Sequence, residues 1–394
     1  MTTENMTTDA AIQQFTNWLS ANGLEEKPHQ VSGLKWMLAH ELNVDEEYLV
    51  KGGFLCDQMG MGKTYTALGT LIANPVRNTL IVIPYALITQ WSSILTKLFP
   101  DFVIYHGKNR TRVNIKDASV VLTTYTTLSH DLLLRSYDVR SICWNRVIFD
   151  EAHHMRNKKT ATFRGIYSIR AKIKWLVTGT PIQNETNDFI NLCRILGLSD
   201  GYILEHLDTV VKDFVLKRDL DSTDMELPEL RLHTIHTTAG AHELGLSQLI
   251  HSRLWAKRPL HYGAILPMFM KARQACVMPQ MLDSFCSNVK KDVDADGSGN
   301  EREFPECINN VLGNSETVFE GDYLNSKVEQ VVNFIKERKG NGRSKLVFSH
   351  FHDEIDLIKE KLEEDGMCVA TFDGRVPADK RRPVLTDNSV DALI

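Results

Sequence analysis

The stretch "FLCDQMGMGKTYTALG", residues 54–69, decides the fold, because it reads as a phosphate-binding loop between a strand and a helix. The pattern GxxxxGK[ST] asks for Gly five positions before Gly62, and Asp57 stands there instead. What phosphate binding needs physically is narrower. A strand must end, the backbone must turn tightly, and successive N–H groups must converge ahead of a helix N-terminus. Gly60 and Gly62 supply that freedom. The apolar run "GGFLC" is the feeding strand and "TYTALGTLIA" the helix. On this reading Lys63 reaches the β- and γ-phosphates as a point charge, and the Thr64 hydroxyl ligates Mg²⁺. An ordinary helix start is the alternative, so the rest of the chain has to decide.

It does so by its alternation. "TLIVIP" closes at Pro84 and a helical "ALITQWSSILTKLF" follows, ended by Pro100. "DFVIYHG", "SVVLTTY", "NRVIFDEAHH" and "KWLVTGTP" are further short β-branched runs. Strands alternating with helices mean βα units, hence an α/β fold with a mainly parallel central sheet. Ligands bind such sheets at the carboxyl ends of the strands, where Lys63, Asp150, Glu151 and Thr178 fall in this register. Two adjacent carboxylates after a buried apolar strand are costly without a cation. Asp150 can hold Mg²⁺ through water and Glu151 can position or deprotonate an attacking water, the charge placement that phosphoryl transfer needs.

The 394 residues allow two or three domains, and 43% hydrophobic content is that of ordinary globular material. "MTTENMTTDA" has neither a basic n-region nor an apolar h-region, and no apolar run approaches a membrane span, so an intracellular protein without a membrane partner is expected. The seven Cys form no CxxC pair and are odd in number, which points to reduced thiols rather than a zinc ribbon or disulfide framework. Net charge is −5, yet Gln58–Asn184 carries 17 Lys and Arg against 6 Asp and Glu. Within it, residues 152–184 hold seven basic residues and no acid. Phosphate backbones respond to local surfaces rather than to whole-chain sums, so a basic first domain can bind DNA; a solvated basic helix face is the alternative.

At this point the motifs resemble those of the Swi/Snf-type family of ATP-dependent DNA translocases in helicase superfamily two. "KPHQVSGLKWML" is similar to the family's adenine-reading glutamine motif, with Gln30 at the reading position. "DQMGMGKT" resembles motif I, usually DEMGLGKT, so an acidic residue at Asp57 is a family trait, while Gln58 and Met61 are departures that remove no phosphate ligand. "LIVIPYALITQW" resembles motif Ia, "VVLTTYTTL" motif Ib, "WNRVIFDEAHHMRN" the DEAH-box-like motif II and "WLVTGTPIQN" motif III, all in the family's order. Thinner resemblances follow in "FVLKRDL" with Arg218, "MKARQACVMP", and the run from "SKVEQVVNFI" through motif IV around Ser349 to "VATFDGRVPADKRRPVL".

The resemblance implies RecA-like P-loop lobes: a complete first lobe over 1–230, a helical or flexible interlobe insertion over 231–320, and the start of a second lobe over 321–394. The sequence stops at "VDALI" before motifs V and VI, the latter supplying an arginine finger, so weak turnover by this chain alone is expected. ATP and Mg²⁺ are the implied cofactors, with Gln30, Gly60, Gly62, Lys63 and Thr64 at the nucleotide, Thr64 and Asp150 at the metal, and Lys63, Asp150 and Glu151 catalytic. Thr178 and Thr180 would couple nucleotide state to DNA grip. Gln90, Trp91, Thr124 and Tyr125 would face the backbone of double-stranded DNA, in contacts independent of sequence. A nucleus or other DNA-containing compartment follows, and protein partners are left open. A hydrolysis-defective ATP- and DNA-binding module and a strand-separating helicase are the rival functions.

"DVDADGSGNERE", residues 292–303, fits EF-hand spacing, with Asp292, Asp294, Asp296 and Glu303 as ligands and Gly297 at the turn. Gly299 stands where an apolar residue is usual, Pro305 intrudes into the exit helix and no second loop exists. Calcium is therefore not expected, and a disordered acidic insertion is the preferred reading. His153 and His154 are read as the last DEAH position and a surface residue.

Overall fold

The structure, a computed structural model, describes residues 8–42, 50–133, 138–181, 186–223, 230–240, 243–244, 247–248, 251, 262–282, 325–387 and 389–394. The chain divides into two compact units, Met1–Glu229 and Leu230–Ile394. The calcium-loop candidate Asp292, Asp294, Asp296 and Glu303 lies outside the described residues.

The first unit is built on seven parallel strands in the order β3-β4-β2-β5-β6-β1-β7. They are β1 (Lys51–Leu55), β2 (Thr79–Ile83), β3 (Val103–Tyr105), β4 (Val120–Thr124), β5 (Cys143–Asp150), β6 (Arg170–Val177) and β7 (Val215–Leu216). The strand β2, "TLIVI", is buried at every position. That is the mark of a strand covered on both faces, and it explains why such runs read as continuously apolar. Leu80 and Val82 point to one face with Phe54, Phe149 and Leu176, and Ile81 and Ile83 to the other with Leu55, Ile148 and Val177. On the second face lie α2 (Pro28–Leu42), α3 (Lys63–Ala73) and α4 (Ile88–Leu98), with α1 (Thr8–Ala21) packed outside them through Phe15, Leu34 and Leu38. On the first face lie α5 (Tyr125–Leu133), α6 (Ala161–Tyr167) and α7 (Thr186–Leu196). This is the α/β class expected of a RecA-like P-loop lobe.

One ionic group is buried in this sheet. Arg146 on β5 and Glu41 at the end of α2 pair with both side chains inaccessible. Arg146 Nε donates to Glu41 Oε1 at 2.7 Å, and the same carboxylate accepts from Trp175 Nε1 at 2.8 Å and Asn74 Nδ2 at 2.7 Å. Every lone pair that burial would leave costly is engaged, so the group ties α2 and the end of α3 to β5 and β6. Among the described residues, Arg146 Nη1 finds no partner.

In the second unit, β8 (Lys345–Leu346), β10 (Ala392–Leu393) and β9 (Val369–Ala370) form a three-stranded parallel sheet with β10 in the middle. Helices Ser326–Lys336 and His352–Glu364 cover one face through Val328, Val332, Ile355, Ile358 and Leu362.

Candidate nucleotide site

The sheet order brings distant segments together. Strand β6 pairs with β5 on one side and β1 on the other, with Asp150 opposite Val177 and Val177 opposite Leu55. The ends of motif II, motif III and motif I therefore lie in one row.

Past Leu55 the loop is held by pairing that continues beyond the strand: Cys56 N donates to Leu216 O at 2.7 Å and Gln58 N to Arg218 O at 2.9 Å. It then turns through Gly60 at φ 90° and Gly62 at φ 76°. Both values fall where L side chains are strained, which is the requirement those glycines meet. A Cβ on Gly62 would also stand 2.2 Å from Gln30 Nε2. Gly62 caps α3, and the helix starts directly at Lys63. Thr64 sits half-buried in its first turn.

Lys63 is folded back into its own loop, donating to Asp57 O at 2.8 Å and Gln58 O at 3.2 Å. Gly179 of motif III packs against it, a Cβ there lying 3.3 Å from Lys63 Nζ. Asp57, in place of the expected glycine, is 1% exposed and takes a bidentate pair from Arg218, Nε to Oδ1 at 2.9 Å and Nη2 to Oδ2 at 2.5 Å. Arg218 Nη1 donates onward to His29 O at 2.6 Å and Ser32 Oγ at 2.7 Å. The carboxylate is thus a tether between the loop, α2 and the segment after β7. Gln58, read as a departure that removes no phosphate ligand, accepts from Leu220 N through Oε1 at 3.0 Å and completes the same joint.

Gln30 is buried against the loop, its Nε2 donating to Met61 O at 3.2 Å, and His29 Nε2 lies 2.9 Å from the same oxygen. Among the described residues nothing donates to Gln30 Oε1.

Asp150 is 3% exposed, and its carboxyl is pushed up to about 6 by burial, an effect opposed by the hydrogen bond from Trp91. Trp91 Nε1 donates to Oδ2 at 2.9 Å and Glu151 N to Oδ1 at 3.0 Å. Glu151 occupies the left-handed region at φ 52°, which turns its half-exposed side chain away from the strand direction. His153 Nδ1 lies 3.2 Å from Glu151 Oε2 and 3.3 Å from Thr178 Oγ1, and Thr180 N donates to Thr178 Oγ1 at 3.2 Å. His154 is exposed, stacks on His153, and has its imidazole pKa lowered chiefly by partial burial.

The residues expected at DNA divide differently. Gln90 is exposed. Trp91 is fully buried and Tyr125 is 4% exposed, its hydroxyl donating to Asp150 O at 2.7 Å. Thr124 is buried as well, its Oγ1 accepting from Thr127 N at 3.2 Å as a cap on α5. Those three side chains offer no surface to a phosphate backbone, and the expectation is corrected for them. The sequence reading missed the Asp57–Arg218 tether, the His29 contact and the Trp91–Asp150 bond. Only an acid at a glycine position and a single arginine after motif III hinted at the first.

A buried carboxylate with a raised pKa, facing a lysine and a glycine turn at a helix N-terminus, can hold a divalent cation beside a phosphate chain. A sequence profile of the SNF2-related domain matches residues 29–202. An uncharacterized ATP-dependent helicase of Schizosaccharomyces pombe is 27% identical over 319 residues, covering 64% of this chain and 30% of that protein. Transcription termination factor 2 of Drosophila melanogaster is 22% identical over 520 residues, covering 91% of this chain and 48% of that protein. The chain thus spans less than half the length of either. Among solved structures, the Sulfolobus solfataricus SWI2/SNF2 ATPase core in complex with dsDNA aligns with TM-score 0.46 and 19% identity over 94% of this chain and 77% of that one.

Proposed function

We propose, taking residues 29–202 as an SNF2-related domain, that this chain hydrolyses ATP and couples hydrolysis to movement along duplex DNA without separating its strands. The observation that carries the reading is the single row in which the ends of β5, β6 and β1 set Asp150, Thr178 and the Gly60–Lys63 loop side by side.

The residues suit ATP with Mg²⁺. Gly60 and Gly62 leave the loop open to a phosphate chain, and Thr64 and Asp150 offer a hydroxyl and a carboxylate to the metal. Bound there, magnesium would neutralise charge on the phosphoryl oxygens and favour the charged form of Asp150. Lys63 exchanges two loop carbonyls for phosphate oxygens. Glu151 accepts the proton of the attacking water, aimed by its left-handed backbone and held by His153. Gln30 keeps Nε2 on the loop and has Oε1 for the adenine amino group. Thr178 and Thr180 pass the state of the site toward the DNA surface through His153.

The DNA surface includes Gln90 and the exposed Lys158, Lys159 and Arg164 of the basic stretch, whose charge suits phosphates without reading bases. Such a protein belongs in the nucleus or another DNA-containing compartment. Residues 1–230 are the nucleotide-binding lobe, 231–320 the insertion and 321–394 the start of the second lobe. Binding of a fluorescent ADP with Mg²⁺, lost in Lys63→Ala, tests the nucleotide site. A strand-displacement assay separates translocase from helicase: duplex unwinding would overturn the strand-retaining part of the reading.

A further inference from the structure

Asp150 is gripped from both faces of the sheet by helices whose neighbouring residues face solvent. From the α4 side, Trp91 Nε1 reaches the carboxylate at 2.9 Å; from the α5 side, Tyr125 Oη reaches the carbonyl at 2.7 Å. Both rings are buried, while Gln90, one residue before Trp91, and Thr126, one after Tyr125, are exposed. Each helix thus carries, within one turn, a solvent-facing polar group and a ring bonded to the same aspartate.

We infer that Trp91 and Tyr125 are positioning residues that link duplex DNA, bound along the first turns of α4 and α5, to the orientation of the Asp150 carboxylate. The inference rests on the proposed DNA-dependent ATPase and adds to it a path separate from Thr178 and Thr180. A packed helix moves as a body, so a DNA contact at Gln90 or Thr126 displaces the adjoining ring with it. Hydrogen bonds weaken steeply with misalignment, so a small rotation of the indole at 2.9 Å changes what holds Oδ2. The plainer role, an indole that only satisfies its own N–H in the core, predicts no response to DNA.

Indole ¹⁵N–¹H spectra of the whole chain distinguish the two. Trp144 and Trp175 serve as internal controls, since their buried Nε1 groups donate to Val139 O at 3.0 Å and Glu41 Oε1 at 2.8 Å, away from Asp150. The Trp91 resonance is assigned by its loss in Trp91→Phe or, if that variant does not fold, by broadening with Mn²⁺ and ADP. Saturating duplex DNA without nucleotide should shift the Trp91 signal and leave Trp144 and Trp175 in place. In Trp91→Phe, duplex affinity read by fluorescence anisotropy should persist while DNA stimulation of ATP turnover falls by at least about five-fold, the lower bound of an ordinary coupling between sites. A Trp91 signal that moves no more than the controls, in a protein that binds both DNA and Mn²⁺–ADP, overturns this inference alone. Failure to bind DNA or Mn²⁺–ADP overturns the functional reading and this inference with it.

Discussion

Replacing Arg218 by Gln strands the carboxylate of Asp57. That group is 1% exposed and receives two hydrogen bonds from Arg218, whose own side chain is 17% exposed. Removing one partner of a buried ion pair costs about 3–5 kcal/mol, because the remaining charge stays desolvated. Water reaching the partly exposed arginine side moderates this toward about 3 kcal/mol. The bonds to His29 O and Ser32 Oγ are lost together with the pair, so the loop also loosens from α2. Five of the six tryptophans precede residue 230, so urea unfolding followed by tryptophan fluorescence reports mainly on the unit concerned. The cycle comprises wild type, Arg218→Gln, Asp57→Asn and the double variant. The expected outcome is a large loss for Arg218→Gln, partly recovered in the double variant, since a neutral amide costs less to leave buried. Arg218→Gln costing under about 1 kcal/mol, or strict additivity in the cycle, would refute the tether.

Burial shifts the Asp150 carboxyl from 3.8 to about 6, so the folded state holds its proton more tightly than the unfolded one. This group's contribution is therefore most favourable below pH 4 and is lost as pH rises to 6, by about 3 kcal/mol. In chelator-treated buffer, Asp150→Asn should accordingly gain on wild type by that amount between pH 4 and 7; parallel stability profiles would contradict the burial argument. Gly62→Ala places a methyl 2.2 Å from Gln30 Nε2 at φ 76°, and should cost about 1–3 kcal/mol and weaken Mg²⁺–ADP binding. Gln30→Ala in the same protein should relieve the clash but not the backbone strain, which calorimetric melting of the two variants resolves.

Much of this was legible because local physics wrote it. The turn at Gly60 and Gly62, the buried run of β2 and the paired acids at the end of β5 each sit in a few consecutive residues. Parallel strands covered on both faces leave continuous apolar runs, and βα alternation fixes which end of each carries the site. What escaped depends on which way a side chain turns or on distant pairing. Trp91 and Tyr125 follow strands at the site edge, as DNA-facing residues would, yet both turn inward to Asp150. No sequence period distinguishes Gln90 from Trp91 by function, only by the helical face each occupies. Asp57 and Arg218 lie 161 positions apart, and their pairing needs β7 beside β1, which a two-residue strand does not announce.

The most direct test of the central claim is single-turnover ATP hydrolysis with protein in excess, with and without duplex DNA, for the wild-type chain and Glu151→Gln. The account predicts that duplex DNA speeds the wild-type reaction, and that Glu151→Gln still binds Mg²⁺–ATP but hydrolyses it at least about a hundred-fold more slowly. Equal rates in the two proteins, or nucleotide bound by the wild type yet never hydrolysed with DNA present, would contradict it.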